Sequence, residues 1–223
     1  MMDTKRVVIQ GKEWMSAEQF HTERLDHLGI VAGVCDEIDL VARIDAAAPS
    51  RMSSPTVGQA VKAMILNALG FVGRPLYLTP EFFRTKPVDL LVREGLTAAD
   101  LNDHNLGRAL DALFRAGVTE VFTQVAQSAL TTLGVEIEHI HLDSTSFSLH
   151  GEYATDEMSS DGDEAPTPVT ITHGYSKDHR PDLKQVMLNL MCANNSSLPV
   201  WIQALSGNSS DTPSFPEAVK AYT

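Results

Sequence analysis

The feature that most constrains this chain is a change of hydrophobic period at Gly134. Before it, apolar residues recur every three or four positions; after it, they alternate. Helical stripes and strand faces bury in different geometries, so a chain with both periods is expected to build a helical layer and a sheet layer. The expected fold is α+β, with a helical N-terminal domain over residues 1–133 and a second domain over 134–223.

Three upstream segments have helical periodicity and recognisable ends. In SSPTVGQAVKAMILNALG, Val57, Ala60, Val61, Met64, Ile65, Ala68 and Leu69 fall at helical spacing, with Ser54 as N-cap, Pro55 in the first position and Gly70 at the stop. A second helix is expected after Asn102 or Asp103, carrying Leu106, Ala109, Leu110, Leu113 and Phe114 on one face and ending at Gly117. A third starts near Thr119 and groups Val121, Phe122, Val125, Ala126, Ala129, Leu130 and Leu133 before Gly134. Residues 24–46 form another helix, weakened by Gly29 and Gly33. Pro75, Pro80 and Pro87 cut residues 73–101 into short helices and turns, while Met64, Phe71, Phe82 and Phe83 are assigned to the core.

After Gly134 the segment VEIEHIHLDSTSFSLHG places Ile137, His139, His141 and Asp143 on one strand face, with the strand ending between Phe147 and Leu149. The acidic stretch 152–168, containing Pro166 and Pro168, is a loop or insertion. A hairpin follows, with strands near 184–193 and 199–205 around a turn at Asn194–Ser197. A last helix starts with Thr212 as cap and Pro213 in its first turn. Strand, loop, two strands and one helix are too few elements to close an α/β core, so the second domain is expected to be incomplete.

Composition excludes several classes. With 43% hydrophobic residues a core can be buried, yet no stretch approaches the roughly 20 apolar residues of a membrane span. The N-terminus has no apolar core of a secretory signal, and Cys35 and Cys192 show no pairing pattern, which together point to a reducing cytoplasm. A net charge of −12 argues against a dedicated DNA-binding domain. Residues 152–164 hold six of the acids and no Lys or Arg, so setting them aside still leaves −6.

The segment HIHLDSTSFS carries the chemistry. A carboxylate near the end of a buried strand, followed by small hydroxyl residues, can present itself at a sheet edge as the kind of ligand that two-metal phosphoryl-transfer sites use to hold divalent ions. The order of a strand with Asp143, a hairpin and a helix is also how a ribonuclease-H-like α/β domain begins. A rival reading takes His139, His141 and Asp143 as zinc ligands of a hydrolase, since period-two spacing puts all three on one face. Against it, Ser144 follows the aspartate, and His150, His173 and His179 show no ligand spacing.

Several blocks carry a resemblance: HLDSTSFSLHGEY, GYSKDHRPDLKQVMLNL and ALSGNSSD, with VGQAVKAMILNALGFVGRPLYLTPEFF and LGRALDALF upstream. In this order they resemble insertion-sequence DDE transposases that have an extra helical N-terminal domain, from about residue 24 onward. The resemblance implies DNA strand cleavage and transfer, with Asp143 as the first catalytic acid and a ligand for Mg²⁺ or Mn²⁺. The family's second acid and its glutamate have no counterpart before Thr223; Asp211 precedes the last helix and reads as a loop or capping residue. The chain is therefore expected to be a C-terminally truncated, inactive fragment that holds no metal tightly. Its implied partners are DNA at transposon ends, a second copy, or an intact transposase that it would inhibit. Lys177, Arg180 and Lys184, near His179, read either as contacts to DNA phosphates or as loop charges paired with Asp178 and Asp182. No helix shows a basic face, so the helical domain reads as a recognition or dimerisation unit or as a packed support.

Overall fold

The computed structural model describes residues 7–9, 12–14, 23–153, 167–175, 179–193 and 198–222. Their architecture is mixed, eight helices with a three-stranded antiparallel sheet, which makes the fold α+β. A small antiparallel hairpin, β1 (Val7–Ile9) and β2 (Lys12–Trp14), comes first and has no counterpart in the sequence expectations.

The expected helix over 24–46 is two helices, α1 (Leu28–Glu37) and α2 (Leu40–Ala47). The break falls at neither glycine but at Asp39, which adopts a left-handed conformation with φ 56°. Next comes α3 (Val57–Ala68), whose cap is Thr56 and not Ser54. Thr56 Oγ1 accepts from the Gln59 amide at 3.3 Å and Gln59 Oε1 accepts from the Thr56 amide at 3.0 Å, a reciprocal capping box. Short elements fill 73–101 as expected, with helices α4 (Thr79–Phe83) and α5 (Val88–Leu91) between 3-10 turns at Leu76–Leu78 and Ala98–Leu101. The last two helices of this half, α6 (Asp103–Ala116) and α7 (Val118–Leu133), start and stop as their capping signals indicate: Asn102 accepts from the Asn105 amide, and Gly134 ends α7 at φ 61°.

Helix α3 runs through the middle of this half. Its Ala63 and Leu66 join Leu28, Phe82, Phe83, Leu91 and Leu101, while its Val57 and Ala60 join Leu40, Ile44, Leu106, Ala109 and Val121. Each fully buried Leu or Phe contributes about 1.5–3 kcal/mol of hydrophobic stabilisation. The crossing with α2 is backbone to backbone, because a Cβ on Gly58 would overlap the Val41 carbonyl, and the Gly58 amide donates to Asp45 Oδ1 at 2.7 Å. Even Lys62 is 1% exposed, its ammonium donating to Asp36 at 2.5 Å.

Two core assignments change. On α6 the buried line is Leu106, Ala109 and Ala112, leaving Leu110 and Phe114 44% and 39% exposed, because the helix meets α3 through its small residues. Phe71 is 82% exposed. The Asn67 carboxamide clasps Arg74, donating to its carbonyl at 2.6 Å and accepting from its amide at 2.8 Å. That clasp turns residues 70–73 outward, and the Phe71 ring lies 4.3 Å from the His27 ring.

The sheet contains β3 (Ile140–Leu149), β4 (Lys184–Ala193) and β5 (Leu198–Ser206), hydrogen-bonded in that order with β4 central. The first strand begins at Ile140, so Ile137 and His139 precede it. Helix α8 (Asp211–Tyr222) starts one residue ahead of the expected Thr212 cap. One sheet face is covered: Met191, Ala193, Val200 and Trp201 pack with Leu130 of α7 and with Ala218 and Tyr222 of α8. Residues 154–166, most of the acidic loop, and the expected turn at 194–197 lie outside the described residues.

Candidate active-site strand

Asp143 sits within β3, opposite Leu190 of β4, on the face of the sheet that α7 and α8 do not cover. Strand alternation produces this placement: Ser144 is buried on the covered face, and His141, Asp143, Thr145 and Phe147 are exposed on the other. The Asp143 Oδ1 accepts from the Ser144 amide at 2.8 Å, which orients the carboxylate and leaves its second oxygen open. His141 is opposite Cys192 on the same face, and its ring stands edge-on to His139 with centroids 5.3 Å apart.

These donors do not converge. Among the described residues, no group of three or more His, Cys, Asp or Glu is arranged to hold a metal ion. A tetrahedral zinc site takes three or four protein ligands, and a two-metal site takes several carboxylates, so one aspartate beside an imidazole fits neither alone.

Two of the basic residues singled out in GYSKDHRPDLK, Arg180 and Lys184, have partners within the chain. Arg180 forms a bidentate pair with Asp182 at 2.9 and 2.8 Å, and that guanidinium holds the Asp182 carboxyl down at about 2. Lys184 donates to the Tyr153 carbonyl at 2.6 Å. It shares the face of Asp143, but six residues of register separate them, about 20 Å along the sheet. Lys177 lies outside the described residues. At this far end, Leu149, Glu152, Tyr153, His173, Asp182 and Lys184 border a cavity of about 580 Å³.

One residue missed in the sequence ties two of its motifs together. Gln185 is 2% exposed, and its Nε2 donates to the carbonyls of Gly207 at 2.7 Å and Tyr175 at 3.2 Å. Around it, residue 172 bridges to Gln185 and the Gly207 amide donates to the Thr170 carbonyl. A Cβ on Gly174 would overlap the Gly207 carbonyl, and one on Gly207 would overlap the carbonyls of Gln185 and Thr172. The glycines of HGYSK and LSGNS are thus required by backbone contact. An isolated Gly in each motif was the available signal, but nothing local shows that the two meet.

Among known sequences, residues 20–127 match a family described as a domain of unknown function, DUF4277. The match covers the helical half from ahead of α1 into α7 and stops short of Asp143 and the sheet. No curated protein and no solved structure matches the chain. No helix among the described residues is long and apolar enough to cross a membrane.

Proposed function

We propose that the chain contributes the opening part of a ribonuclease-H-like DDE transposase domain, with Asp143 as its first catalytic acid, to DNA strand cleavage and transfer. The observation that carries this reading is topological. An antiparallel order β3-β4-β5 is followed directly by α8 on one sheet face, and the outer edge of β3 is unpaired among the described residues. A further strand added there would stand next to Asp143, the place where a second acid is needed. The transposase-like blocks HLDSTSFSLHGEY, GYSKDHRPDLKQ and ALSGNSSD support the same reading, since they contain the strand and the glycine contact that build this region.

Because the described residues bring no second carboxylate to Asp143, the reaction requires acids from outside this set, and the chain alone is expected to be inactive. The same open edge supports a non-catalytic alternative, in which the chain pairs with an intact transposase and inhibits it. The experiment joins the chain to the coding sequence that follows it in its genome and measures excision of a donor DNA with Mg²⁺ or Mn²⁺. Excision that falls at least about 100-fold in Asp143→Asn supports the catalytic reading. Excision indifferent to that substitution sinks it. Failure of excision, with the unextended chain suppressing an intact relative, selects the inhibitory reading.

A further inference from the structure

The negative charge is unevenly distributed. Residues 23–133 carry ten Lys and Arg against thirteen Asp and Glu, a net of −3, whereas 134–223 carry four against thirteen, a net of −9. The helical half is therefore nearly neutral, and a local basic site there is not submerged in the acidic field of the sheet half. One opening on this half, about 360 Å³, is lined by Pro49, Ser50, Arg51, Arg108 and Arg115. Three arginines line it and no acidic residue does.

Structural roles do not account for the three. Arg115 lies in the last turn of α6, where a cation suits the helix dipole, and it approaches Asp111 at 3.9 Å with both side chains 68% exposed. A pair so long and so wet contributes little. Arg108 lies mid-helix, and Arg51 lies in the connection between α2 and α3. Both are exposed, and neither makes an ion pair with a described residue. A concavity lined by one sign of charge concentrates ions of the other sign. Guanidinium groups in particular match the paired oxygens of a phosphate.

We infer that Arg51, Arg108 and Arg115 form a phosphate-binding site for the backbone of nucleic acid, placed on the helical half. The spacing favours a polymer over a single ion. Arg108 and Arg115 are seven residues apart on α6, about 10 Å along its axis. A DNA strand presents a phosphate about every 3.4 Å of axis, so a span of about three such steps lets the two arginines contact different phosphates of one strand. This inference stands independently of the transposase reading, because it uses neither Asp143 nor any metal.

The test is fluorescence anisotropy of the full chain with a duplex of about 30 base pairs of arbitrary sequence, at roughly 50 to 200 mM salt. Arg51→Ala, Arg108→Ala and Arg115→Ala are each expected to weaken binding about 3- to 10-fold and to lower the slope of log affinity against log salt by about one. Arg43→Ala, which removes the same charge from an exposed position on α2, is the control and should change neither. Arg108→Lys keeps the charge without the planar fork and should recover part of the affinity; it also serves if the alanine variant of α6 fails to fold. In a parallel arm, inorganic phosphate is titrated while thermal stability is followed. Stabilisation by phosphate that needs the three arginines, with DNA binding unaffected by their loss, would overturn the assignment to nucleic acid in favour of a small phosphate compound. Equal loss in Arg43→Ala, or no loss in the three alanine variants, would overturn the site itself. DNA binding by the arginine variants and excision by the extended chain are separate readouts, so failure of this inference and failure of the catalytic reading give different results.

Discussion

The two halves of the molecule bury their apolar residues in different ways. In the helical half α3 is enclosed nearly all round, with Ala60, Ala63 and Leu66 fully buried and even Lys62 taken inside. In the sheet half, among the described residues, only one face is covered. Strand β4 nevertheless has a composition suited to two covers: Met187 and Met191 face the packed side, while Val186, Leu188, Leu190 and Cys192 are half-buried on the other. Phe147, on the same open face as Asp143, is 50% exposed. The difference teaches that α3 is covered on nearly every side whereas β4, among the described residues, is covered on one face only, and that Asp143 stands on the other face.

Core deletions should separate the halves most strongly. Phe83→Ala is expected to cost about 3–5 kcal/mol in urea unfolding, whereas Phe147→Ala should cost under about 1 kcal/mol. Comparable costs would mean that the open face of the sheet is covered after all. Next is the buried ion pair. Asp36→Ala strands the Lys62 ammonium inside the helical core and is expected to cost about 2–3 kcal/mol, less than for a fully buried pair because Asp36 is 62% exposed. Lys62→Met removes the need for a partner and should cost under about 1 kcal/mol, so equal losses in the two variants would contradict this asymmetry.

In the sheet half the corresponding polar contact is Gln185. Its replacement by Ala leaves the Gly207 and Tyr175 carbonyls without their donor and should cost about 1–3 kcal/mol, read by thermal melting. Thiol labelling probes the same contrast without mutation. Cys192 on the open face should react with a disulfide reagent in the folded chain. Cys35, where burial pushes the thiol up, should react only on unfolding. The smallest effect concerns pH. Asp182 titrates at about 2 because of Arg180, so the pair contributes above the ordinary carboxylate range and is lost as pH falls through about 2. In Arg180→Ala, the Asp182 midpoint measured by NMR should return toward about 3.9. A midpoint unmoved by that substitution would show that the guanidinium is not its cause.

Much of the framework was legible without coordinates. The ends of α6 and α7 follow from Asn102, Gly117 and Gly134, and the limits of β4 follow from its apolar run, because capping and strand length depend on neighbours close in sequence. The alternation that singled out Asp143 also put it on one face with His141, as the register shows. What was not legible depended on which segments meet. The outward position of Phe71 goes with the Asn67 clasp, the buried line on α6 runs through Ala109 and Ala112 where that helix meets α3, and a left-handed Asp39 separates α1 from α2.

By itself, then, the sequence determined the change from helices to strands at Gly134 and the strand that presents Asp143. Those features rest on hydrogen bonds and hydrophobic periods within about ten residues. Only the tertiary structure decided that Gly174 and Gly207 would close on Gln185, that Arg51 would join two arginines of α6, and that α7 and α8 would pack on the sheet face opposite Asp143. Contacts between residues tens of positions apart leave no local period in the chain, because they are set by how whole elements pack.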